Sequence, residues 1–270
     1  MRDRVRTAAP LAPAVMTVIV LFGGALAGAV RTSLMPLGGG VTLDSWRALF
    51  ADPAFVDAAL FSLRVTVVAT AVSAVAAVAV AGLLRSRGTL VRALAVLPVP
   101  VPHLLVAVLA VLWLAPGGLA DRALGALPVS LVRDDAGLGI VLVYAYKEVP
   151  FLVLLLLAAM GAGLREREEA AAVLGASRRQ RLAWVVWPAI RAPLVIGSIV
   201  VAAFVLGAFE VPLVVGPNYP PTLAAYAYEA TQGDVLAGEG VAAAALLLTA
   251  AAAIALAAAA VRLARTAEGD

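Results

Sequence analysis

The chain contains no cysteine, one histidine and one lysine. Without cysteine there is no disulfide framework, thiolate zinc site, iron–sulfur cluster or cysteine nucleophile. With His103 as the only histidine there is no H-E-x-x-H zinc site and no histidine cage. The one lysine, Lys147, follows Tyr146, whereas a nucleotide-binding P-loop needs G-K-[ST], so the chain carries no such loop of its own. Charge is scarce as well. Only 14% of the 270 residues are charged, against roughly 25% in an ordinary globular domain. In its place 63% of the residues are hydrophobic, the composition of a chain whose solvent is lipid.

A hydrocarbon core about 30 Å thick needs roughly 20 apolar residues per helix. Six such stretches run over approximately 11–30, 58–84, 93–115, 138–160, 193–215 and 239–261. Irregular backbone cannot face lipid, because its unsatisfied N–H and C=O groups cost several kcal/mol each there. The runs also lack the alternation of membrane barrel strands. The expected fold is therefore an all-α polytopic membrane protein, one domain over 1–270 with six transmembrane helices.

The arginines fix the expected orientation. Arg2, Arg4 and Arg6 precede the first span, and Arg85, Arg87 and Arg92 lie between the second and third. Arg165, Arg167, Arg178, Arg179, Arg181 and Arg191 lie between the fourth and fifth, and Arg262 and Arg265 follow the sixth. With six spans all of these share one side. Both termini, 1–10 and 262–270, are then cytoplasmic, and the net charge of +3 is a topology signal and not a nucleic-acid footprint. A cleaved signal peptide ending near Ala25-Leu26-Ala27 is the rival for the first span, but the apolar run exceeds the usual signal core of roughly 7–15 residues. The alanine-rich sixth span, with Ala242 to Ala245, Ala250 to Ala253 and Ala257 to Ala260, reads as a smooth face for close helix packing.

The cytoplasmic loop 161–192 concentrates the charge. Glu166, Glu168 and Glu169 fall where a first helical turn favours acids. Ala170 to Leu174 continue as helix, and Gly175 suits the left-handed residue that ends it. Ser177 then caps a second short helix with Arg178, Arg179 and Arg181. Pro188 and Pro193 are expected to close the unit before the fifth span. The product is a helix–turn–helix elbow with a small-residue apex.

At these residues the chain resembles the permease subunits of binding-protein-dependent ABC importers. Their loop signature is E-A-A, three residues, G, nine residues, then I-x-L-P. Here Glu169-Ala170-Ala171 is followed after three residues by Gly175, and after nine more by Val185-Val186-Trp187-Pro188. Trp187 in place of leucine is the bulkier departure. The resemblance implies a type I importer permease fold whose elbow is a coupling helix docked on a partner ATPase through Glu169, Ala170, Ala171, Gly175, Ala176, Arg178, Arg179 and Pro188. It also implies a second permease, two ATPase subunits and an extracytoplasmic solute-binding protein as partners. The chain would then supply the path and not an enzyme activity.

Four ionisable residues fall within spans: Arg64, Lys147, Glu148 and Glu210. Such residues are expensive in a membrane and mark functional candidates. Lys147 lies roughly 20 Å, and Glu210 roughly 25 Å, from the cytoplasmic ends of their spans at 1.5 Å per residue. Pro150 and Pro212 follow them, and broken helices at membrane depth line cavities. Three readings stand: Tyr144, Lys147, Glu148, Phe209 and Glu210 border a translocation path, or Lys147 and Glu210 form a structural pair, or Arg64 and Lys147 snorkel to the outer leaflet. His103, after Pro98, Pro100 and Pro102, reads as an interfacial hydrogen-bonded residue whose prolines set the angle of the third helix.

The segment from Gly207 to Ala230 looks like the corresponding part of permeases for polyamines such as spermidine and putrescine, and of related iron and thiamine importers. Glu210, Tyr219, Tyr226, Tyr228 and Glu229 would suit an organic cation, although the tyrosines equally suit an interfacial belt. A polytopic membrane enzyme or an ion-driven secondary transporter are the rival classes. Neither a catalytic dyad nor an internal repeat supports them. No resident cofactor or metal is expected.

Overall fold

The structure, a computed structural model, describes residues 12–35, 40–125, 130–233 and 235–269. The expected N-terminal tail at 1–10, with Arg2, Arg4 and Arg6, lies outside the described residues. Every regular element among the described residues is helical. Among the described residues six helices are long and apolar enough to cross a membrane: Pro13–Leu34, Pro53–Leu84, His103–Leu124, Leu138–Ala159, Arg178–Gly207 and Gly238–Arg265.

The first span joins α1 (Ala12–Val18) to α2 (Gly24–Leu34) through a π-helical turn, Ile19–Gly23. Ala25-Leu26-Ala27 lies inside α2, with Ala25 and Leu26 facing Leu246 and Ala250 of the sixth span across a shared groove. A short α3 (Asp44–Ala51) leads into α4 (Pro53–Leu84), the second span. Its start is well specified, with Asp52 Oδ1 accepting from the Ala54 N–H at 2.9 Å and Pro53 in the first turn.

The third span is broken. Residues 93–115 read as one apolar run, but the chain forms α5 (Thr89–Val96), a turn, and α6 (His103–Leu114), followed by α7 (Leu119–Leu124). Pro98, Pro100 and Pro102 alternate through the turn, so three N–H donors are missing there. The crossing helix itself starts at His103, so the prolines stand at its entry and separate it from α5.

The fourth span, α8 (Leu138–Ala159), is the opposite case. Pro150 does not break it. The helix packs between α4 and the fifth span, and such packing lets a membrane helix retain an interior proline. Ile140, Tyr144, Leu152 and Leu156 of α8 are fully buried with Val201 and Val205 of the fifth span close to them in one core. A second core joins Leu49, Phe55 and Ala58 to Tyr226 and Ala244.

The elbow begins with α9 (Ala162–Val173) and turns into α10 (Arg178–Arg181), a π-helical segment Leu182–Val186, and α11 (Trp187–Gly207). Pro188 and Pro193 therefore do not close it: the helix of the fifth span runs without interruption from Arg178. Pro188 sits in the first turn of α11, and the wider π turn before it reroutes the carbonyl bonds that its missing N–H would disrupt. The span ends at Gly207, earlier than the expected 215, and after Ala208 the chain resumes as α12 (Glu210–Val215). Finally α13 (Leu223–Gln232) packs on α14 (Val235–Gly269), the sixth span. Ala242, Ala244 and Ala245 are buried there, whereas Ala257, Ala258 and Ala259 are exposed, so the smooth alanine face packs within the chain over only part of its length.

Candidate functional site

At the elbow, Gly175 has φ +88°, the left-handed conformation that glycine adopts without a Cβ penalty. The Ala176 N–H donates to the Ala171 carbonyl at 2.9 Å and the Gly175 N–H to the Ala172 carbonyl at 3.0 Å, which is a Schellman C-cap. Ser177 starts the next helix with a reciprocal cap: Gln180 N–H donates to its Oγ at 3.3 Å, and its own N–H donates to Gln180 Oε1 at 2.8 Å. Ser177→Ala is expected to cost about 1 kcal/mol, read as a fall of roughly 2–4 °C in the thermal midpoint of the purified chain.

The acidic residues sit elsewhere than expected. Since α9 starts at Ala162, Glu166, Glu168 and Glu169 lie beyond its first turn. Glu169 instead accepts from Arg165 Nε at 2.9 Å on the exposed surface. Glu168 accepts from Arg85 Nη1 at 2.8 Å, tying the elbow to the end of the second span. Arg92 extends this link by donating from Nε to the Leu84 carbonyl at 3.1 Å and from Nη2 to the Arg85 carbonyl.

Ala170, Gly175, Arg178, Arg179 and Pro188 are exposed, and Ala171 and Ala176 half-buried. Sequence reasoning missed the apex itself. Val173 and Leu174 are 88% and 87% exposed, a bare apolar knob beside the small residues. Two large aliphatic side chains in a charged loop were the available signal.

A second cluster lies at the level of Tyr144 to Glu148 in the middle of α8. Lys147, 3% exposed, donates from Nζ to the carbonyls of Pro98 at 2.7 Å and Val99 at 3.0 Å, and also to Val101. The ammonium thus satisfies the Val99 and Val101 carbonyls of the turn and shares the Pro98 carbonyl with the Val101 N–H. It does not pair with Glu210, which corrects that expectation: the turn offers three oxygens close at hand. Glu148 is held by His103, whose Nε2 lies 3.0 Å from Glu148 Oε1. The Phe204 ring packs on His103 with centroids 4.7 Å apart and stands edge-on to Tyr144 at 6.3 Å. Tyr144 is fully buried, and its hydroxyl has no hydrogen-bond partner among the described residues. Glu210, exposed at the start of α12, lies within electrostatic reach of it.

Phe209, half-buried, contacts Tyr228 with ring centroids 5.2 Å apart. Arg64 is placed apart from the cluster, donating to the Asp135 carbonyl at 2.8 Å and lying over the Phe61 ring at 5.1 Å. Nothing in the residue pattern signals that His103 meets Glu148, 45 residues away, because only tertiary packing brings the two helices together.

Toward the end of the bundle opposite the elbow, Tyr226 Oη donates to Asp52 Oδ2 at 2.7 Å and Tyr219 Oη to Asp57. A cavity of about 380 Å³ is bordered by Asp52, Tyr219, Tyr226 and Glu229. Another of about 360 Å³ is bordered by Asp57, Arg64, Asp135 and Tyr219. Burial pushes the Glu229 carboxyl above its ordinary range, and burial together with the bond to Asp52 raises the Tyr226 hydroxyl.

The family described as binding-protein-dependent transport system inner membrane component matches residues 69–267. The inner membrane ABC transporter permease protein YnjC of Escherichia coli (strain K12) is 32% identical over 223 residues, covering 81% of this chain and 43% of that protein. The chain thus spans less than half the length of that relative. A chain of the bacterial alginate ABC transporter, solved in complex with alginate pentasaccharide-bound periplasmic protein, is 19% identical with a TM-score of 0.78, covering 98% of this chain and 95% of its own. A chain of a bacterial ABC transporter involved in the import of the acidic polysaccharide alginate is 20% identical with a TM-score of 0.75, covering 98% and 96%. At these identities the likeness to the solved structures is one of fold.

Proposed function

The chain belongs to the family of binding-protein-dependent transport system inner membrane components, and on that premise we propose that it is the permease subunit of an ABC importer. It forms one side of a solute path and passes the motion of a partner ATPase to that path. The observation that carries this reading is the elbow. Glu169, Ala170 and Ala171 lead to a left-handed Gly175 and an apolar knob of Val173 and Leu174, exposed on a chain with no P-loop of its own. An ATPase groove that accepts the knob is flanked by Arg179 and by Ala176, whose small side chain permits close approach.

The partners are two ATPase subunits, a second permease and an extracytoplasmic binding protein, with no nucleic acid. Both termini and the elbow face the cytoplasm, a placement supported by the arginine distribution. The path runs past Tyr144, Glu148, Phe209 and Glu210, where two broken spans flank an intact one, as in carriers that bind solute at the break. Lys147 supports the path by holding the broken turn and is not exposed to it.

For the substrate, the carboxylates of Asp52, Asp57, Glu229 and Glu210, with Tyr219 and Tyr226 beside three of them, favour a small organic cation such as a polyamine. They would repel an acidic polysaccharide of the kind that the structural neighbours handle.

Glu210→Gln tests the path. Because Glu210 is exposed at the first turn of α12, the variant should insert and assemble with the ATPase normally while uptake of labelled putrescine falls by about tenfold, the scale of one lost charged contact. Lost assembly, or uptake equal to wild type, would remove Glu210 from the path.

A further inference from the structure

A groove of about 390 Å³ runs along the bundle beside the elbow, between the end of the second span and the start of the fifth. Its walls are apolar: Val78 and Gly82 from α4, Leu182 and Val186 from the π-helical segment, and Trp187 and Ile190 from α11. Its rim carries two guanidinium groups, Arg85 and Arg178. Arg85 is shared with Glu168, whereas Arg178 has no side-chain partner among the described residues. The π turn is part of the design of this groove, since its extra residue widens the helix where Leu182 and Val186 line the wall. Trp184 and Trp187, 70% and 49% exposed, mark the level of a membrane–water boundary.

We propose that this groove binds an anionic phospholipid of the arginine-rich leaflet, with an acyl chain along Val78, Gly82 and Ile190 and the phosphate against Arg178 and Arg85. The apolar length and the positive rim occur together, and a basic pocket between membrane helices at the bilayer boundary is suited to an acidic headgroup. A zwitterionic lipid fits the walls but gains nothing net at the rim. The lipid phosphate also competes with Glu168 for Arg85, so its arrival loosens the tie between the elbow and the second span. The site requires only that the chain lie in a membrane and holds independently of the transport reading.

Trp187 reports occupancy directly. The full chain with Trp46, Trp113 and Trp184 replaced by Phe is reconstituted in phosphatidylcholine vesicles doped with dibrominated phosphatidylglycerol or, equally, with dibrominated phosphatidylcholine. Bromine quenches the remaining indole only at contact range. Phosphatidylglycerol is expected to bind about fivefold or more tightly than phosphatidylcholine, the scale of one guanidinium at a membrane surface. Arg178→Gln should reduce that preference by about fivefold. Gly82→Leu should lower quenching by both lipids, because a Cβ at Gly82 meets no atom within 4 Å and the new side chain enters the groove without a clash. Equal quenching by the two lipids overturns the proposal. So does a phosphatidylglycerol preference unchanged in both variants, or its abolition by free inorganic phosphate, which needs no acyl chain. Trp187 shielded from both brominated lipids would place a protein over the groove and overturn it as well.

Discussion

Gly175→Asp is expected to abolish solute-stimulated ATP hydrolysis while leaving the chain folded and inserted. The two halves of that outcome have separate causes. A Cβ at Gly175 meets nothing within 4 Å, so no packing is disturbed. The φ of +88° costs most side chains about 1–2 kcal/mol and aspartate, like asparagine, less, so the strain is only part of the effect. The Schellman bonds of Gly175 and Ala176 must then loosen, and the knob of Val173 and Leu174 loses its fixed direction. Aspartate adds a charge beside that knob, which a docked apolar surface must desolvate. Three substitutions separate these effects. Gly175→Asn tolerates the left-handed backbone and should keep most coupling, Gly175→Ala should lose roughly tenfold from strain alone, and Gly175→Asp should lose the whole stimulation. The measurement is ATP hydrolysis by the reconstituted assembly with and without loaded binding protein. Equal coupling in all three would mean that the apex does not meet the ATPase.

Lys147→Met is expected to give the largest loss of stability of any single change in the spans. Methionine matches the length of the stem but removes the donor, leaving the carbonyls of Val99 and Val101 facing apolar side chains, while that of Pro98 keeps the Val101 N–H at 3.2 Å. Relief from burying an ammonium offsets part of this cost. Each unsatisfied buried polar group costs about 1–3 kcal/mol, however, and two of them outweigh the relief, for a net loss of about 2 kcal/mol. Lys147→Arg keeps a donor and should recover part of it. Thermal unfolding of the chain in lipid discs reads the difference, with Glu210→Gln as the exposed control. A Lys147→Met chain as stable as wild type would show that the turn does not depend on the ammonium.

Much of the architecture is legible in the residues because membrane burial leaves few alternatives. Runs of twenty apolar residues must be helices, and Glu169-Ala170-Ala171 to Gly175 spacing specifies a helix and its left-handed stop. Proline was the recurrent source of error. Pro150, Pro188 and Pro193 read as breakers and sit inside or at the start of long helices, each supported by neighbouring spans or by a π turn. Pro98, Pro100 and Pro102 stand just before the crossing helix that starts at His103, although the apolar run was expected to begin at 93. A single proline removes one bond that packing can replace, whereas three alternating ones leave only the bonds of the residues between them, Val99 to Val96 and Val101 to Pro98. The partner of Lys147 was misjudged for the same reason. Opposite charge suggested Glu210, but a broken turn displays carbonyl oxygens that sequence cannot show as acceptors. His103, Phe204 and Arg85 were invisible as site residues because only tertiary packing brings them to Glu148, Tyr144 and Glu168.

The lysine in the fourth span also bears on how the chain enters the bilayer. A lysine at the centre of an isolated helix costs about 2.5–3.5 kcal/mol to insert, and Glu148 beside it adds to the burden. All the groups that satisfy Lys147 lie 46 to 49 residues earlier, and His103, which satisfies Glu148, lies 45 earlier. Those groups have therefore already left the ribosome when the fourth span emerges. The third and fourth spans form a helical hairpin that is far less costly to insert than its second arm alone. Biogenesis of this chain should proceed through that hairpin as a unit, with the third span waiting at the translocon for its lysine.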